Sequence, residues 1–288
     1  MTVPSFADIG KNAWDIFRTG YHYGYGLFNI SITNKSEKKL RLNSEYSLQC
    51  DTSQADGKSE AKLSLDRIGV LKQKWKSDGT ILLEHGLEGK PIDGFSLTSG
   101  FSYNPHTSIS GLLFGAKFQN EHVNLNCSVS NAFDQNFRLT GAAVLGIRDL
   151  HLGYQAGYDT EMNSMTLNDV GLAYNFENVG VHLRATSIPY EGGASVSYKV
   201  NENWDTVING VFASRNDRQR WTVGIGTRMR IDDKTMVRLK LNKDRQMGAS
   251  LQQKFYNFIN LTLSFSLDLN NLPRGDHKVG LAIDIEDV

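Results

Sequence analysis

His277-Lys278-Val279-Gly280-Leu281-Ala282-Ile283-Asp284-Ile285, followed by Glu286, Asp287 and Val288, ends the chain. On an extended backbone Val279, Leu281, Ile283 and Ile285 share one face, and Lys278, Gly280, Ala282 and Asp284 share the other. One such two-faced strand is ordinary in a soluble sandwich. Its weight here comes from recurrence. Phe28, Ile30 and Ile32 alternate with Asn29, Ser31 and Thr33, and Leu40, Leu42, Tyr46 and Leu48 alternate with Arg41, Asn43, Glu45 and Ser47. Ile259, Leu261, Leu263, Phe265, Leu267 and Leu269 alternate in the same way with Asn260, Thr262, Ser264, Ser266 and Asp268.

Turn signals separate these runs, among them Lys76-Ser77-Asp78-Gly79, Tyr103-Asn104-Pro105-His106, Tyr190-Glu191-Gly192-Gly193 and Asp232-Asp233-Lys234. The pattern predicts roughly 18–20 strands of about 9–11 residues, the length a tilted strand needs to cross a bilayer. A barrel of that size has a lumen too wide for side chains to fill. The apolar face therefore belongs outside, in lipid, and the polar face inside, on water. Trp75, Tyr103, Trp204 and Trp221 then fall near the membrane interfaces. The fold class expected is all-β: one transmembrane barrel over 27–288, preceded by a helix and glycine-rich joint over 1–26. A soluble lipid-binding β protein is the competing reading of alternation alone.

The opening segment has a different period. Ser5 can cap a helix with Asp8 in its first turn, and Phe6, Ile9, Ala13, Ile16 and Phe17 gather on one side. Asp8, Lys11, Asp15 and Arg18 mark the wetter side. The helix is expected to stop near Gly20, where Tyr21-His22-Tyr23-Gly24-Tyr25-Gly26 forms a joint. The segment Met1–Thr19 is expected to lie against the inner wall through its apolar stripe.

Composition narrows the function. The 31 basic and 31 acidic residues cancel, which argues against a general nucleic-acid binder. No run of 18 apolar residues offers a transmembrane helix, and the charges within Met1–Gly20 do not fit a secretory signal peptide. Cys50 and Cys127 stand far apart and read as free thiols. The scarcity of proline, 5 residues, suits a sheet whose donors must all be paired. His22, His85, His106, His122, His151, His182 and His277 show no spacing of a triad or metal site, so no catalyst, metal or cofactor is expected.

Val3-Pro4-Ser5-Phe6-Ala7-Asp8-Ile9-Gly10-Lys11, with Asp15-Ile16-Phe17 and the joint, resembles the N-terminus of the mitochondrial porins, the voltage-dependent anion channels. Glu121-His122-Val123-Asn124-Leu125, Gly153-Tyr154-Gln155, Gly192-Gly193-Ala194-Ser195, Tyr198-Lys199-Val200-Asn201, Leu261-Thr262-Leu263-Ser264 and His277-Lys278-Val279-Gly280-Leu281 extend that resemblance along the chain. It implies 19 strands, with the first and last parallel, and the helix in the lumen. It also implies a pore of the mitochondrial outer membrane for ions and metabolites such as ATP and ADP. The partners it implies are membrane lipid, ions and nucleotides in transit, with a homo-oligomer left open. An outer-membrane docking scaffold is the alternative function. Lys278, Gly280, Ile283 and Ile285 resemble the family's membrane-insertion signal. Weak nucleotide contacts are implied at Lys11, at Gln246-Met247-Gly248 and at Ser264-Phe265-Ser266-Leu267-Asp268, against the plainer reading that these residues line a polar wall.

Measured against the family pattern, basic residues are missing. Trp14, Asn29, Thr33 and Thr19 stand where the family commonly has cations, as do Leu113, Gly115 and Gln119 near the seventh strand. Arg228, Arg230, Arg238 and Lys240 fall on the inner face by alternation, with Arg215, Arg218 and Arg220 in the turn before them. Positive charge thus reads as moved from the helix side to a far wall, which predicts weaker anion preference. Gln73 faces lipid where many members carry a glutamate, removing a titratable group.

Overall fold

The computed structural model describes residues 2–36, 39–65, 68–89, 92–132, 136–215, 218–256 and 258–287. Met1 and Val288, at the ends of segments read above, lie outside the described residues, as do the side chains of Arg215 and Arg218.

Nineteen strands follow a short helical segment. They are Tyr25–Ser36 (β1), Leu40–Gln49 (β2), Gln54–Leu65 (β3), Gly69–Lys76 (β4), Ile81–Glu88 (β5) and Phe95–Asn104 (β6). Then come Ile109–Gln119 (β7), Val123–Ala132 (β8), Asn136–Ile147 (β9), Leu150–Asp159 (β10), Ser164–Phe176 (β11) and Val179–Thr186 (β12). The last are Glu191–Asn201 (β13), Trp204–Arg215 (β14), Arg218–Arg230 (β15), Thr235–Asn242 (β16), Gln246–Phe255 (β17), Ile259–Asp268 (β18) and Lys278–Asp287 (β19). Each pairs antiparallel with its sequence neighbour, and β1 pairs parallel with β19, so the sheet closes on itself. Closure leaves no open edge, the condition a sheet must meet in hydrocarbon.

The register settles the two faces. Asn29 stands opposite Ala282 and Ser47, while Ile30 stands opposite Ile283 and Tyr46. Leu83, Leu145, Leu183, Ile208, Ile225 and Leu251 lie exposed on the outer face, as a lipid-facing surface requires. Trp75, Tyr103, Trp204 and Trp221 are exposed toward strand ends. Among the described residues no helix is long and apolar enough to cross a membrane.

The N-terminal segment is inside the barrel, but it is not the single helix its spacing predicts. A 3-10 turn at Phe6–Asp8 and a helix at Lys11–Arg18 (α1) are separated by Gly10, which is left-handed at φ 74°. Ser5 makes no cap; its hydroxyl donates to Asp8 Oδ2 at 2.6 Å. The break turns the apolar stripe so that both pieces reach the wall. Val3, Phe6 and Ile9 pack on Val144 and Ala173, and Ala13 and Ile16 pack on Val207, with Phe17 beside them. Burial of such side chains contributes about 1.5–3 kcal/mol each, offset by ordering the segment.

Candidate functional site

The lumen and its docked segment form the site. The strands beneath the segment supply room as well as contacts. A Cβ at Gly153 would come 2.5 Å from Ile9 Cδ1 and 2.7 Å from Phe6 Cδ2, and one at Gly146 would come 2.5 Å from Val3 Cγ2. These inner-face glycines, with Gly171, Gly224 and Gly226 nearby, are functional positions that the sequence reading missed. Their signal was available: glycine recurring where alternation expects a polar side chain.

Polar contacts fasten both ends of the segment. Gln119 Nε2 and Asn124 Nδ2 donate to the Val3 carbonyl at 2.8 and 2.9 Å. At the other end Lys240 Nζ donates to the Phe17 carbonyl at 2.7 Å, and Ser250 Oγ to the Gly20 carbonyl at 2.5 Å. The Phe17 carbonyl belongs to the last turn of α1, where free acceptors and the helix dipole favour a cation. Ser264, fully buried, accepts the His22 amide at 3.1 Å. His182 lies below Gly10 with neither ring nitrogen bonded among the described residues, as befits a wall residue.

This geometry corrects the expected charge map. Arg238 and Lys240 are not on a wall across from the helix; they lie under its C-terminal end. Arg238 is 8% exposed, packed where a Gly20 side chain would otherwise stand, and Lys240 also lies 4.0 Å from the Tyr21 ring centroid. Arg228 pairs with Asp205, which leaves Arg230 exposed at the end of β15. Arg215 ends β14, and Arg218 and Arg220 lie within β15, rather than in the turn. On the segment, Lys11 pairs with Asp8 at 3.3 Å, Thr19 Oγ1 donates to Asp15 at 3.3 Å, and Arg18 stacks over Trp14 at 4.3 Å. The Ser5 hydroxyl first, and Lys11 second, hold the Asp8 carboxyl below its ordinary range.

Elsewhere the inner wall is laced with ion pairs: Lys58–Glu45 at 2.7 Å, Lys74 with Glu60 and Glu84 at 3.6 Å, and Arg184–Asp169 at 3.7 Å. Asn29 lines a recess of about 640 Å³ on β1, β2, β3 and β19 whose charges are Glu45, Asp56, Asp78 and Asp284 against Lys58 and Lys76. Thr33, 7% exposed, donates to Asn43 Oδ1 at 3.1 Å. Leu113 and Gly115 sit on the inner face of β7, paired with Gly100 and Thr98.

The nucleotide-contact expectation needs correction too. Met247, Phe265 and Leu267 point to the outer face, since Met247 pairs with Leu241 and Leu267, and Phe265 with Ala249. Gln246, Gly248, Ser266 and Asp268 remain on the inner face, but Ser264 is committed to His22 and Gly248 lies under the Lys240 stem. Gln73 is outward, between Ala61 and Leu83, in an apolar recess with Leu71 and Phe101. In β19, Ile283 and Ile285 face outward opposite Leu261 and Ile259, and Lys278 pairs with Asp276 at 3.0 Å. Gly280 admits the His22 carbonyl so closely that a Cβ there would collide with it.

A closed sheet with an apolar outside, a polar lumen and a helix docked within defines a membrane-spanning β-barrel of the pore type. The chain belongs to the eukaryotic porin family, whose pattern matches residues 2–280. It is 31% identical over 285 residues to the non-selective voltage-gated ion channel VDAC1 of Sus scrofa, covering 98% of each chain. Identity to the VDAC1 of Rattus norvegicus is 30% over the same share. To the VDAC2 of Xenopus laevis it is 28% over 284 residues, 98% of this chain and 99% of that one. Family and relatives indicate a channel rather than an enzyme.

Proposed function

We propose that this porin is a diffusion pore of the mitochondrial outer membrane, passing ions and small metabolites, nucleotides included, with weak selectivity between anions and cations. One observation carries the selectivity: the inner-wall cations beneath the docked segment are engaged, and several elsewhere are paired. Lys240 caps α1, Arg238 is packed under the joint, and Arg228, Arg184, Lys58 and Lys74 face carboxylates. A cation paired at close range contributes little field to the lumen, because its partner cancels it within a Debye length. On the wall beneath the segment few free charges then remain to set ion preference. Nucleotides meet polar groups of the inner wall at Gln246, Ser266 and Asp268, and pass without a tight site.

The test is purified protein in a planar bilayer under a KCl gradient. Discrete conductance steps with a reversal potential near zero support the proposal. Steps that reverse close to the chloride potential contradict weak selectivity, and an absence of steps favours a docking role in the membrane.

A further inference from the structure

On one rim, the turns β14–β15 and β16–β17 and the loop β18–β19 are joined into one surface. Asn270 Nδ2 donates to the Asp244 carbonyl at 2.7 Å, and the Leu269 amide to the Arg245 carbonyl at 3.0 Å. This surface presents Arg220, Lys243, Arg245 and Arg274, all exposed. Asp244, Asp276 and, on the inner face at the end of β18, Asp268 oppose them among the described residues. Asp276 is engaged with Lys278, and the Arg220–Asp244 pair is loose, 3.9 Å with the arginine side chain 80% exposed. At the other end of the same strands Glu202, Asp232 and Asp233 offset Arg230 and Lys234, so the basic bias belongs to one rim.

Lys243 lies over lipid, whereas Arg220, the neighbour of outward Trp221, is on the inner face of β15. Trp221 stands on the outer face opposite Phe212 and is 58% exposed, and the Lys243 ammonium sits 4.2 Å from its ring centroid. A tryptophan at that depth marks the boundary between hydrocarbon and headgroups. Exposed Leu272 adds an apolar group in the adjoining loop. An outward ammonium beside a half-immersed ring, with exposed Arg245 in the same turn, suits a phosphate held at headgroup height with its acyl chains running down β14–β17. A soluble acidic peptide would leave Trp221 and Leu272 unused.

We propose that this rim binds the headgroup of an anionic phospholipid, with Lys243 and Arg245 as its principal ligands; the proposal rests on the membrane-spanning fold and is independent of conductance. The test exposes full-length protein to mixed micelles of equimolar phosphatidylcholine and phosphatidylglycerol, and mass spectrometry counts the lipids it retains. Wild type is expected to retain phosphatidylglycerol preferentially. At about fivefold per interfacial cation, the K243Q/R245Q variant should lose at least about tenfold of that preference. K243R/R245K should keep it, which separates lost charge from lost fold, and K234Q/K254Q at the opposite rim should also keep it. Equal retention by wild type and the glutamine variant overturns the proposal. So does displacement of the lipid by millimolar inorganic phosphate or by a polyglutamate peptide, since either would show a charge site indifferent to the bilayer.

Discussion

Gly153 faces Phe6 and Ile9 so closely that its hydrogen is part of the docking surface. Overpacking a close contact costs about 1–3 kcal/mol, so Gly153→Val should release the segment without opening the barrel. The readout is thiol modification of Ile9→Cys in a chain carrying Cys50→Ser and Cys127→Ala. Modification should be slow with Gly153 present and rise roughly tenfold or more with valine, since about 1.4 kcal/mol is a factor of ten. Equal rates in both backgrounds would mean that the segment is not docked there. Asp8 gives a pH signature. Its carboxyl is held low by Ser5 and Lys11, both on the segment itself, so its contribution to the segment's fold is present above the unfolded value of 3.8 and is lost as pH falls through the lowered value. With Trp75, Trp204 and Trp221 changed to Phe, Trp14 emission should report that loss in acid. Asp8→Asn should abolish the acid-dependent step, and its persistence would assign the step to another group.

The N-terminal element is clamped at both ends by the wall, through the Val3 carbonyl and through the Phe17 and Gly20 carbonyls. Its ionic side chains Asp8, Lys11, Asp15 and Arg18 balance, so moving it through the membrane field does little electrical work. Conductance should therefore fall only shallowly with voltage; a steep bell-shaped curve would place the gating charge elsewhere. Lys240→Gln removes the cation at the end of α1, worth about 0.3–1 kcal/mol and up to about 2 in a partly buried setting. It should speed labelling of an Ile16→Cys probe while leaving the reversal potential nearly unchanged; the opposite pattern would show Lys240 acting as a free pore charge. Strands were legible in the sequence because lipid and water write a period of two into every one of them. The apolar stripe of Phe6, Ile9, Ala13 and Ile16 was legible for the same kind of reason. The Gly10 break was not, because it answers to a wall contributed by strands more than a hundred residues away. The engagement of Lys240 and Arg238 was hidden likewise: alternation says which face a side chain takes, and only the closed barrel says what stands in front of it.

Across the whole molecule, charge is arranged as two unlike walls. Beneath the docked segment, β15–β17 carry basic groups that are already engaged. Beyond β18, the recess on β19, β1, β2 and β3 holds Glu45, Asp56 and Asp284, with Lys58 offsetting Glu45. Its unpaired carboxylates lie beside the segment that narrows the lumen, and they therefore bias permeant ions toward cations. The pore should reverse near zero, or on the cation side, under a KCl gradient. Asn29→Lys places an ammonium in this recess, next to Ser47 and Ala282 in the register, where it meets carboxylates that lack a cation. It should move the reversal potential toward chloride. Thr33→Lys should do less, because Thr33 is buried against Asn43 and a lysine must leave that contact to reach water. Neutralising Arg230, the exposed cation at the end of β15, should shift the potential less than Asn29→Lys does, and in the opposite direction. A strongly chloride-selective wild type that loses its preference only in Arg230→Gln would reverse this ranking and make the late-strand cations, not the recess, the selectivity element.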